Sequence, residues 1–375
     1  MILVKVLILT ISAGHGHNQT SMAACEMLKE YGADCIVLDA YDYIHPILSK
    51  SVEKGYLFTT RYTPVLYGGF YRLAEKKDQQ GEVAISRVMN KMMAKKLIRF
   101  INSYSPDVII ATHIFAAQCI TDVRKYLVPH KSIGIITDFT VHPFWEDTDL
   151  DYYVTPTHLL NNQCRKKGIS LDKVLPIGIP IHKKFSKKIS KSEARKILNI
   201  KDKPTILVMM GSMGYGNVTK IVSQMDNLEN DFQILCVCGN NKHAKAAIER
   251  RTFRHDVYTF GFVDNVDIMM DASDFIVTKP GGLTVSESLA KGLPMILVNP
   301  IPGQEDRNLE FLLNNGLSMY VTSTFPIDEA VYQLLSNKER LALIEVFAKN
   351  MGKPNAAKGL AEFVLSLKNE KKVVN

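Results

Sequence analysis

Long hydrophobic runs are missing from the start of this 375-residue sequence, where a targeting or membrane-spanning segment would begin. Leu3 and Val4 are followed by a lysine and then by the apolar stretch 6–9, which is too short and too interrupted for a signal peptide or a spanning helix. Low-complexity tracts and repeats of a fixed period are missing as well. These absences disfavour a secreted, membrane-spanning or disordered chain, and we predict a folded protein of the cytoplasm.

Cysteine is also scarce, and its spacing does not fit a disulfide framework. The one close pair is separated by a single residue within an apparent strand. We therefore expect reduced and mostly buried thiols. The six cysteines are Cys25, Cys35, Cys119, Cys164, Cys236 and Cys238.

The chain is longer than the size at which one hydrophobic core keeps growing, so two domains are expected. Hydrophobic residues make up 46% of the sequence and charged residues 22%, which is ordinary for a globular protein. Both domains can therefore bury a core of their own.

The positive charge of the protein is concentrated in one segment. The whole chain carries a net charge of +8, and residues 50–100 hold 11 Lys and Arg against 4 Asp and Glu, a net charge of +7. Aromatic residues alternate with these cations, a composition suited to an anionic membrane surface. A solvated basic face is the plainer alternative. Nucleic acid is disfavoured as a partner, because no recognised nucleic-acid-binding module accompanies the segment.

Short apolar runs alternate with helical segments in both halves, which is typical of a parallel sheet covered by helices on both faces. They lie at 4–9, 35–38, 108–111, 133–136, 152–154, 205–210, 232–238, 257–259, 275–278, 295–298 and 318–321. A helix is expected over 19–31. The fold class is therefore α/β, with the same design in both halves.

A break around Gly178, Pro180 and a lysine-rich stretch separates the two halves. We predict an amino-terminal Rossmann-like domain over 1–180, a linker over 181–203 and a second such domain over 204–355. The remaining segment 356–375 is predicted to form a helix, and whether it packs back on the first domain is open.

Three glycine-rich loops follow predicted strands, where backbone N–H groups can approach phosphates. They cover 14–18, 211–216 and 280–284. The first has Gln19 where a dinucleotide fingerprint would have its third glycine, which disfavours a nicotinamide site, and no Walker loop is present.

The third loop has two interpretations. Thr284 and Glu287 have the spacing of a capping box, which would make both residues structural. Alternatively, a glutamate beside the first turn of a helix could accept hydrogen bonds from ribose hydroxyls. A second polar helix start at 302–308 favours the ligand interpretation, because Gln304 and Glu305 there could hold sugar hydroxyls.

Five segments of the sequence resemble one known family, the glycosyltransferases that glycosylate diacylglycerol. This family comprises plant monogalactosyldiacylglycerol synthases and bacterial diacylglycerol glucosyltransferases, and it is similar to glycosyltransferase family 28. The matching segments are SAGHGHNQTS (12–21), TDFTVHPFW (137–145), GIPI (178–181), KPGGLTVSESLAKGLP (279–294) and NPIPGQEDRN (299–308).

The resemblance implies a GT-B fold, two facing Rossmann-like domains with a cleft between them, with the acceptor on the first domain and a UDP-sugar on the second. It identifies His17 as the catalytic base, Glu287 as the ribose-binding residue, and Gln304 and Glu305 as the pair that reads the donor sugar. A histidine at the lip of a sheet can act as a base near neutral pH. The alternative role for His17 is a loop histidine that caps the next helix.

The rest of the predicted site has an acceptor part and a donor part. Acceptor or membrane contacts are expected at Tyr62, Pro64, Asp138, His142 and Trp145, although Asp138 and Trp145 could equally be a turn carboxylate and a core aromatic. The predicted donor site consists of Gly16, Gly211, Ser212, Gly214, Phe262, Val263, Lys279, Gly281, Gly282, Thr284, Glu287, Gln304, Glu305 and Asn308.

Two departures from the family pattern leave points open. His15 interrupts the glycine run that plant members have in the first loop, and its role is open. Ser212 and Met213 replace glycines in the phosphate loop.

Asp149 and Asp151 lie in an acidic loop and do not stand out as a metal site. We therefore expect neither a cofactor nor an obligatory metal, with UDP stabilised by helix starts, the loops and Lys279.

The leading hypothesis is an inverting transferase on the cytoplasmic face of the membrane, which moves a hexose from a UDP-sugar to 1,2-diacylglycerol. Glucose is favoured over galactose, although Gln304 and Glu305 do not distinguish the two. One alternative is an N-acetylglucosamine transferase that acts on a polyprenol-linked precursor, and another is a non-catalytic UDP-sugar sensor. Processivity, activation by anionic lipid and oligomeric state are left open.

Overall fold

The computed structural model describes residues 3–11, 15–44, 95–214 and 216–373. They form two compact units. The first is drawn from Met1–Lys183, Pro302–Gln304 and Asn355–Asn375, and the second from Lys184–Ile301 and Glu305–Pro354. Most of the basic segment 50–100, including Tyr62 and Pro64, lies outside the described residues.

The first unit is built from short strands that alternate with helices. In chain order they are β1 (Lys5–Thr10), α1 (His15–Glu30), β2 (Asp34–Asp39), α2 (Ala40–Ile44), α3 (95–104), β3 (Val108–Ala111), α4 (Ile114–Val123), β4 (Lys131–Ile135), β5 (Tyr152–Val154), α5 (Asn161–Lys166) and β6 (Val174–Leu175). Short 3₁₀ helices cover Arg124–Tyr126, Pro143–Asp147, His158–Leu160, Leu171–Lys173 and Lys183–Ser186.

The six strands of this unit form one parallel sheet in the order β2-β1-β3-β4-β5-β6. In β1, five of the six residues are buried, as expected for a strand covered on both faces. Because β1 pairs with β2 on one side and β3 on the other, the strand order reverses between β1 and β3. In sheets of this kind ligands bind at this reversal, beyond the carboxyl ends of the strands.

The second unit repeats the design. Its elements are α6 (Lys191–Ile197), β7 (Thr205–Met209), α7 (Val218–Met225), β8 (Gln233–Val237), α8 (Lys242–Glu249), β9 (Asp256–Phe260), α9 (Val266–Ala272), β10 (Phe275–Thr278), α10 (Gly282–Lys291), β11 (Met295–Leu297), α11 (Gln304–Asn314), β12 (Ser318–Tyr320), α12 (Ile327–Ser336) and α13 (Lys338–Met351).

All strands of the second sheet are also parallel, in the order β12-β11-β10-β7-β8-β9. This is the strand order typical of dinucleotide-binding folds, and its reversal lies between β7 and β10. The predicted strands of both units are confirmed to within two residues at each end. The two-residue strand β6 has no counterpart among the predicted strands.

The closing helix α14 (Ala356–Val373) packs in the core of the first unit. Its residues Ala357, Leu360, Ala361 and Val364 share one hydrophobic cluster with apolar side chains of β1 and α1. A separate hydrophobic cluster, centred on β7, β8 and β10, forms the core of the second unit. Each sheet is therefore supported by its own core.

The predictions about the cysteines and about membrane-spanning segments can be compared with the described residues. All six cysteines are free and buried there, as predicted. In that same part of the chain, no helix combines the length and the apolar character needed to cross a membrane.

Candidate active site

The first strand reversal places His17 beside the end of β3. Helix α1 begins at His15, so His17 lies in its first turn and not in a loop ahead of a later helix, and the loop-capping alternative is wrong. The Nδ1 atom of His17 lies 2.8 Å from the Thr112 carbonyl oxygen and 3.2 Å from the Thr137 hydroxyl. Since a carbonyl oxygen only accepts, Nδ1 carries the proton and the neutral ring keeps its lone pair on Nε2.

The surroundings of His17 keep its imidazole neutral. Burial lowers the pKa of His17, against the opposing effects of the Asp138 charge and the Thr112 hydrogen bond. Burying the charged form of an imidazole is unfavourable, so the ring gives up its proton below the usual value of about 6.5. At neutral pH His17 is therefore ready to accept a proton at Nε2.

His113 is a neighbour of His17 that sequence reasoning missed. The two rings meet edge to face with centroids 4.6 Å apart. His113 is also the amino-terminal cap of α4, where its Nδ1 accepts the Phe115 N–H at 3.2 Å. Burial, with His17 and His142 nearby, holds the pKa of His113 well below its usual value. Its position two residues after the strand at 108–111 was the available signal, but that strand's pairing with β1 was not predictable from spacing.

The motif at 137–145 divides between the site and the core. Asp138 acts electrostatically on His17. His142 caps the 3₁₀ helix Pro143–Asp147, and its Nδ1 accepts the Phe144 N–H at 3.2 Å. Burial, with a smaller effect from the charge of Lys167, lowers the pKa of His142 to about 4. Trp145 is only 4% exposed.

Trp145 packs against the sheet of the first unit. A Cβ atom added at Gly134 of β4 would lie 2.7 Å from the Trp145 ring, and the ring contacts Tyr153 at a centroid distance of 6.1 Å. Of the two interpretations of Trp145, these contacts fit the core aromatic.

Asp151 of the acidic loop has a structural role. One of its carboxylate oxygens accepts the Ser132 N–H at 2.7 Å, and the other accepts from Arg124 at 2.8 Å. These bonds, together with the nearby Arg124 charge, lower the pKa of Asp151, although burial opposes them. The loop therefore ties β4 to the chain before β5.

The second strand reversal brings two of the predicted glycine-rich loops together. The first loop follows β7, and Gly211 and Gly214 adopt φ angles of +71° and +58°, which favour glycine. A Cβ atom at Gly214 would lie 2.2 Å from the Cys238 carbonyl oxygen. The Asn240 N–H donates to the Ser212 carbonyl at 2.8 Å, so this loop is held against the end of β8.

The other loop opens α10, and its geometry contradicts the capping box. The helix begins at Gly282, and its N-cap residue is Gly281, which has no side chain that could cap it. Thr284 therefore lies inside the first turn, and Glu287 lies further along the helix. The N-cap residue gives the backbone N–H groups of this first turn no side-chain cap, and N–H groups at a helix start are suited to binding an anion.

Glu287 is buried, with 8% of the residue exposed. Burial raises the pKa of its carboxyl to about 8, with Lys184 lowering it and Asp267 raising it further. The Lys184 ammonium lies 3.8 Å from Asp267 and donates to the Asp264 carbonyl. Lys184 is thus another neighbour of the predicted donor site that sequence reasoning missed.

The remaining donor residues differ in placement. Glu305 forms an ion pair of 2.7 Å with Lys279, and the buried Asn308 donates to the Pro280 carbonyl at 3.0 Å. Phe262, 64% exposed, and Val263 follow the edge strand β9. Gln304 is the first residue of α11, and its side chain lies outside what the structure describes.

Two family models match the chain. Residues 15–181 match monogalactosyldiacylglycerol (MGDG) synthase, and residues 205–360 match the glycosyltransferase family 28 C-terminal domain. The chain is a glycosyltransferase. The resemblance to the MGDG synthase sequences is thereby confirmed over the first unit, and the similarity to glycosyltransferase family 28 over the second.

Curated relatives match nearly the whole chain. The processive diacylglycerol beta-glucosyltransferase of Bacillus pumilus is 27% identical over 368 residues, which cover 96% of this chain and 94% of the relative. The enzyme of the same name from Bacillus licheniformis is 27% identical over 360 residues, covering 94% of this chain and 92% of the relative. The similarity therefore extends through both Rossmann-like domains.

Solved structures show the same fold. MurG of Acinetobacter baumannii matches with a TM-score of 0.66 and 14% identity, covering 97% of this chain and 99% of that one. The calicheamicin glycosyltransferase CalG4 matches with a TM-score of 0.59 and 13% identity, covering 98% and 99%. The predicted GT-B fold of two Rossmann-like domains is confirmed. A UDP-N-acetylglucosamine 2-epimerase also matches, with a TM-score of 0.60, 12% identity and coverage of 99% and 97%, so this fold alone does not determine the reaction.

Proposed function

We propose that the protein transfers a hexose from a UDP-sugar to 1,2-diacylglycerol with inversion at the anomeric carbon, and that glucose is favoured over galactose. The observation that carries this proposal is the environment of His17. Its Nδ1 proton is directed to the Thr112 carbonyl, and burial keeps the ring neutral. A base of this kind suits the activation of a lipid hydroxyl near neutral pH.

In the proposed reaction the diacylglycerol hydroxyl attacks the anomeric carbon while Nε2 of His17 accepts its proton. A new carbon–oxygen bond forms as the bond from the anomeric carbon to the diphosphate breaks. The electron pair of the broken bond leaves with UDP, so an α-linked donor gives a β-linked glycolipid. His17, now protonated, returns its proton to solvent before the next transfer.

The loops and helix starts that follow β7, β10 and β11 supply the donor contacts in this proposal. The glycine-rich loops and the first turn of α10 bind the diphosphate, together with the Lys279 ammonium. Glu287 binds the ribose hydroxyls. With a pKa of about 8, its carboxyl is protonated at neutral pH, and it can both donate and accept a hydrogen bond. Gln304, Glu305 and Asn308 are proposed to hold the hexose, and no metal is required.

The acceptor is a membrane lipid, so the protein is proposed to bind a membrane from the cytoplasmic side. The net charge of +7 over residues 50–100 supports an anionic surface as its partner. Sedimentation with vesicles tests this: binding should be stronger to anionic than to neutral vesicles and should fall as salt rises. Equal binding to both kinds of vesicle would contradict it.

The activity itself is tested by offering radiolabelled UDP-glucose, UDP-galactose and UDP-N-acetylglucosamine to diacylglycerol in anionic vesicles, with products identified by mass spectrometry. A hexosyl-diacylglycerol is expected, and its loss in His17→Ala but not in the control His158→Ala would support the base assignment. His158 is an exposed histidine of the same unit. Absence of any hexosyl-lipid product with the wild-type protein would overturn the proposal.

A further inference from the structure

Lys279 and Glu305 form an ion pair at the second strand reversal. Lys279 is the first residue after β10, and Glu305 is the second residue of α11. The Lys279 Nζ and Glu305 Oε1 atoms are 2.7 Å apart, and the two side chains are only 20% and 8% exposed. This shielding makes the pair less subject to solvent screening than a surface pair.

Both glycine-rich loops of this edge touch the ion pair. A Cβ atom at Gly211, in the loop after β7, would lie 3.3 Å from Lys279 Cε, and a Cβ atom at Gly281 would lie 3.4 Å from Glu305 Oε1. The pair therefore lies against the backbone of the two loops that surround the reversal. A diphosphate bound by those loops would lie beside the Lys279 ammonium.

The carboxylate of Glu305 is itself held in place. Its second oxygen, Oε2, accepts the Ile301 N–H at 2.8 Å. Each oxygen of the carboxylate thus has a partner within the protein. A lysine side chain is long and flexible, and an unattached ammonium would lose conformational freedom on binding a ligand. A fixed, buried carboxylate removes much of that freedom beforehand.

We propose that Glu305 is a positioning residue for Lys279: it holds the ammonium at the end of β10, where the ammonium contacts the diphosphate of the donor. This inference rests on the proposed function and refines it, because it gives Glu305 a role toward the diphosphate that does not require contact with the hexose. The ammonium has three N–H groups, and Glu305 accepts from it through a single oxygen, Oε1.

The two roles of Glu305 predict different effects on UDP, which has the diphosphate but no hexose. A residue that only reads the hexose leaves UDP affinity unchanged when it is substituted. A residue that acts through Lys279 changes UDP affinity, and this effect disappears once Lys279 is absent. UDP affinities of four full-length proteins, measured by calorimetry, separate these cases: wild type, Glu305→Gln, Lys279→Met and the double variant.

We expect Glu305→Gln to weaken UDP binding about tenfold, the scale of losing one charge-assisted hydrogen bond. Lys279→Met should weaken it at least as much, and the double variant should bind UDP no more weakly than Lys279→Met alone. Glu305→Asp, which keeps the charge on a shorter side chain, should recover part of the affinity. Glu310→Gln is the matched control, since Glu310 is an exposed residue of the same helix, and it should bind UDP like the wild type.

Unchanged or tighter UDP binding by Glu305→Gln would overturn the positioning role. So would equal effects of Glu305→Gln with and without Lys279. If Glu305→Gln does not fold, as judged by its thermal unfolding, the comparison of Glu305→Asp with the wild type decides, since a positioning role requires a weaker UDP affinity there. A wild-type protein that binds no UDP would overturn the proposed function itself, a result distinct from the others.

Discussion

The two strand reversals of this protein occupy equivalent positions in two similar sheets, yet they gather opposite chemistry. The reversal between β1 and β3 collects imidazoles that burial keeps neutral, His17 and His113. The reversal between β7 and β10 collects glycine backbone, a helix start and the ion pair of Lys279 and Glu305. The fold thus provides two places for a ligand, and the loop residues at each determine what it can bind or activate.

The largest expected effect is at the first reversal. His17→Ala should lower kcat by ~10²–10⁴-fold, the range for loss of a general base, while UDP affinity changes by less than about threefold. Steady-state kinetics with UDP-glucose, together with UDP calorimetry, measure both. A large loss of UDP affinity with kcat retained would show that the two reversals do not divide the chemistry in this way.

The matching change at the second reversal is Lys279→Met. Loss of a cation that stabilises developing charge should lower kcat/KM for the UDP-hexose by ~10²-fold, and UDP affinity should fall as well. The acid limb of the pH–rate profile, assigned to His17, should keep its position. A shifted limb would contradict the separation of roles.

A smaller effect is expected at Glu287, because its carboxyl is already protonated at neutral pH. Glu287→Gln, a neutral group of similar shape, should change UDP affinity by less than about threefold at pH 7, whereas Glu287→Ala should weaken it by about tenfold. Calorimetry of the two variants gives the comparison. Equal losses in both would show that an ionised carboxylate is needed.

The smallest effect concerns stability, where one buried residue of each unit responds to pH with opposite sign. His142 has a pKa of about 4 in the folded protein against about 6.5 unfolded. The unfolded chain therefore binds more protons between these values, and stability falls as pH drops through this window. Glu287 has a folded pKa of about 8, so the folded protein binds more protons between about 4.3 and 8, and stability falls as pH rises.

Each of these contributions changes the free energy of unfolding by at most about 1.4 kcal/mol per pH unit. The stability of Glu287→Gln should fall less than that of the wild type as the pH rises from 5 to 8. The stability of His142→Gln should fall less than that of the wild type as the pH drops from 6.5 to 4. Thermal unfolding across these pH ranges measures both. If the stability of either variant changed with pH as much as that of the wild type, the pKa assignment for that residue would be contradicted.

The strands and the glycine-rich loops could be predicted because they depend on local patterns. Apart from one threonine in each, the buried residues of β1 and β7 are continuous apolar runs, and β10 ends where its run meets Lys279 and Pro280. The partners of the site residues could not be predicted. Thr112 lies 95 positions from His17 in the sequence, and the two meet only because β1 and β3 are neighbours in the sheet.

The capping box at Thr284 and Glu287 shows the limit of a local rule. Its spacing was correct, but the helix starts one residue after Gly281, so Thr284 lies in the helix. The ion pair of Lys279 and Glu305 was missed for the reason that applies to Thr112. The two residues are 26 positions apart. They follow the neighbouring strands β10 and β11, and the sequence shows each residue but not their contact.

The central claim, that neutral His17 activates the lipid for attack on a UDP-hexose, is tested most directly by the pH dependence of hexose transfer to diacylglycerol in vesicles. The account predicts that kcat/KM rises with pH through one acid limb with a pKa below about 6.5, and that this limb disappears in the residual activity of His17→Ala. A limb that persists in His17→Ala, or a wild-type protein that transfers no hexose to diacylglycerol at any pH, would contradict it.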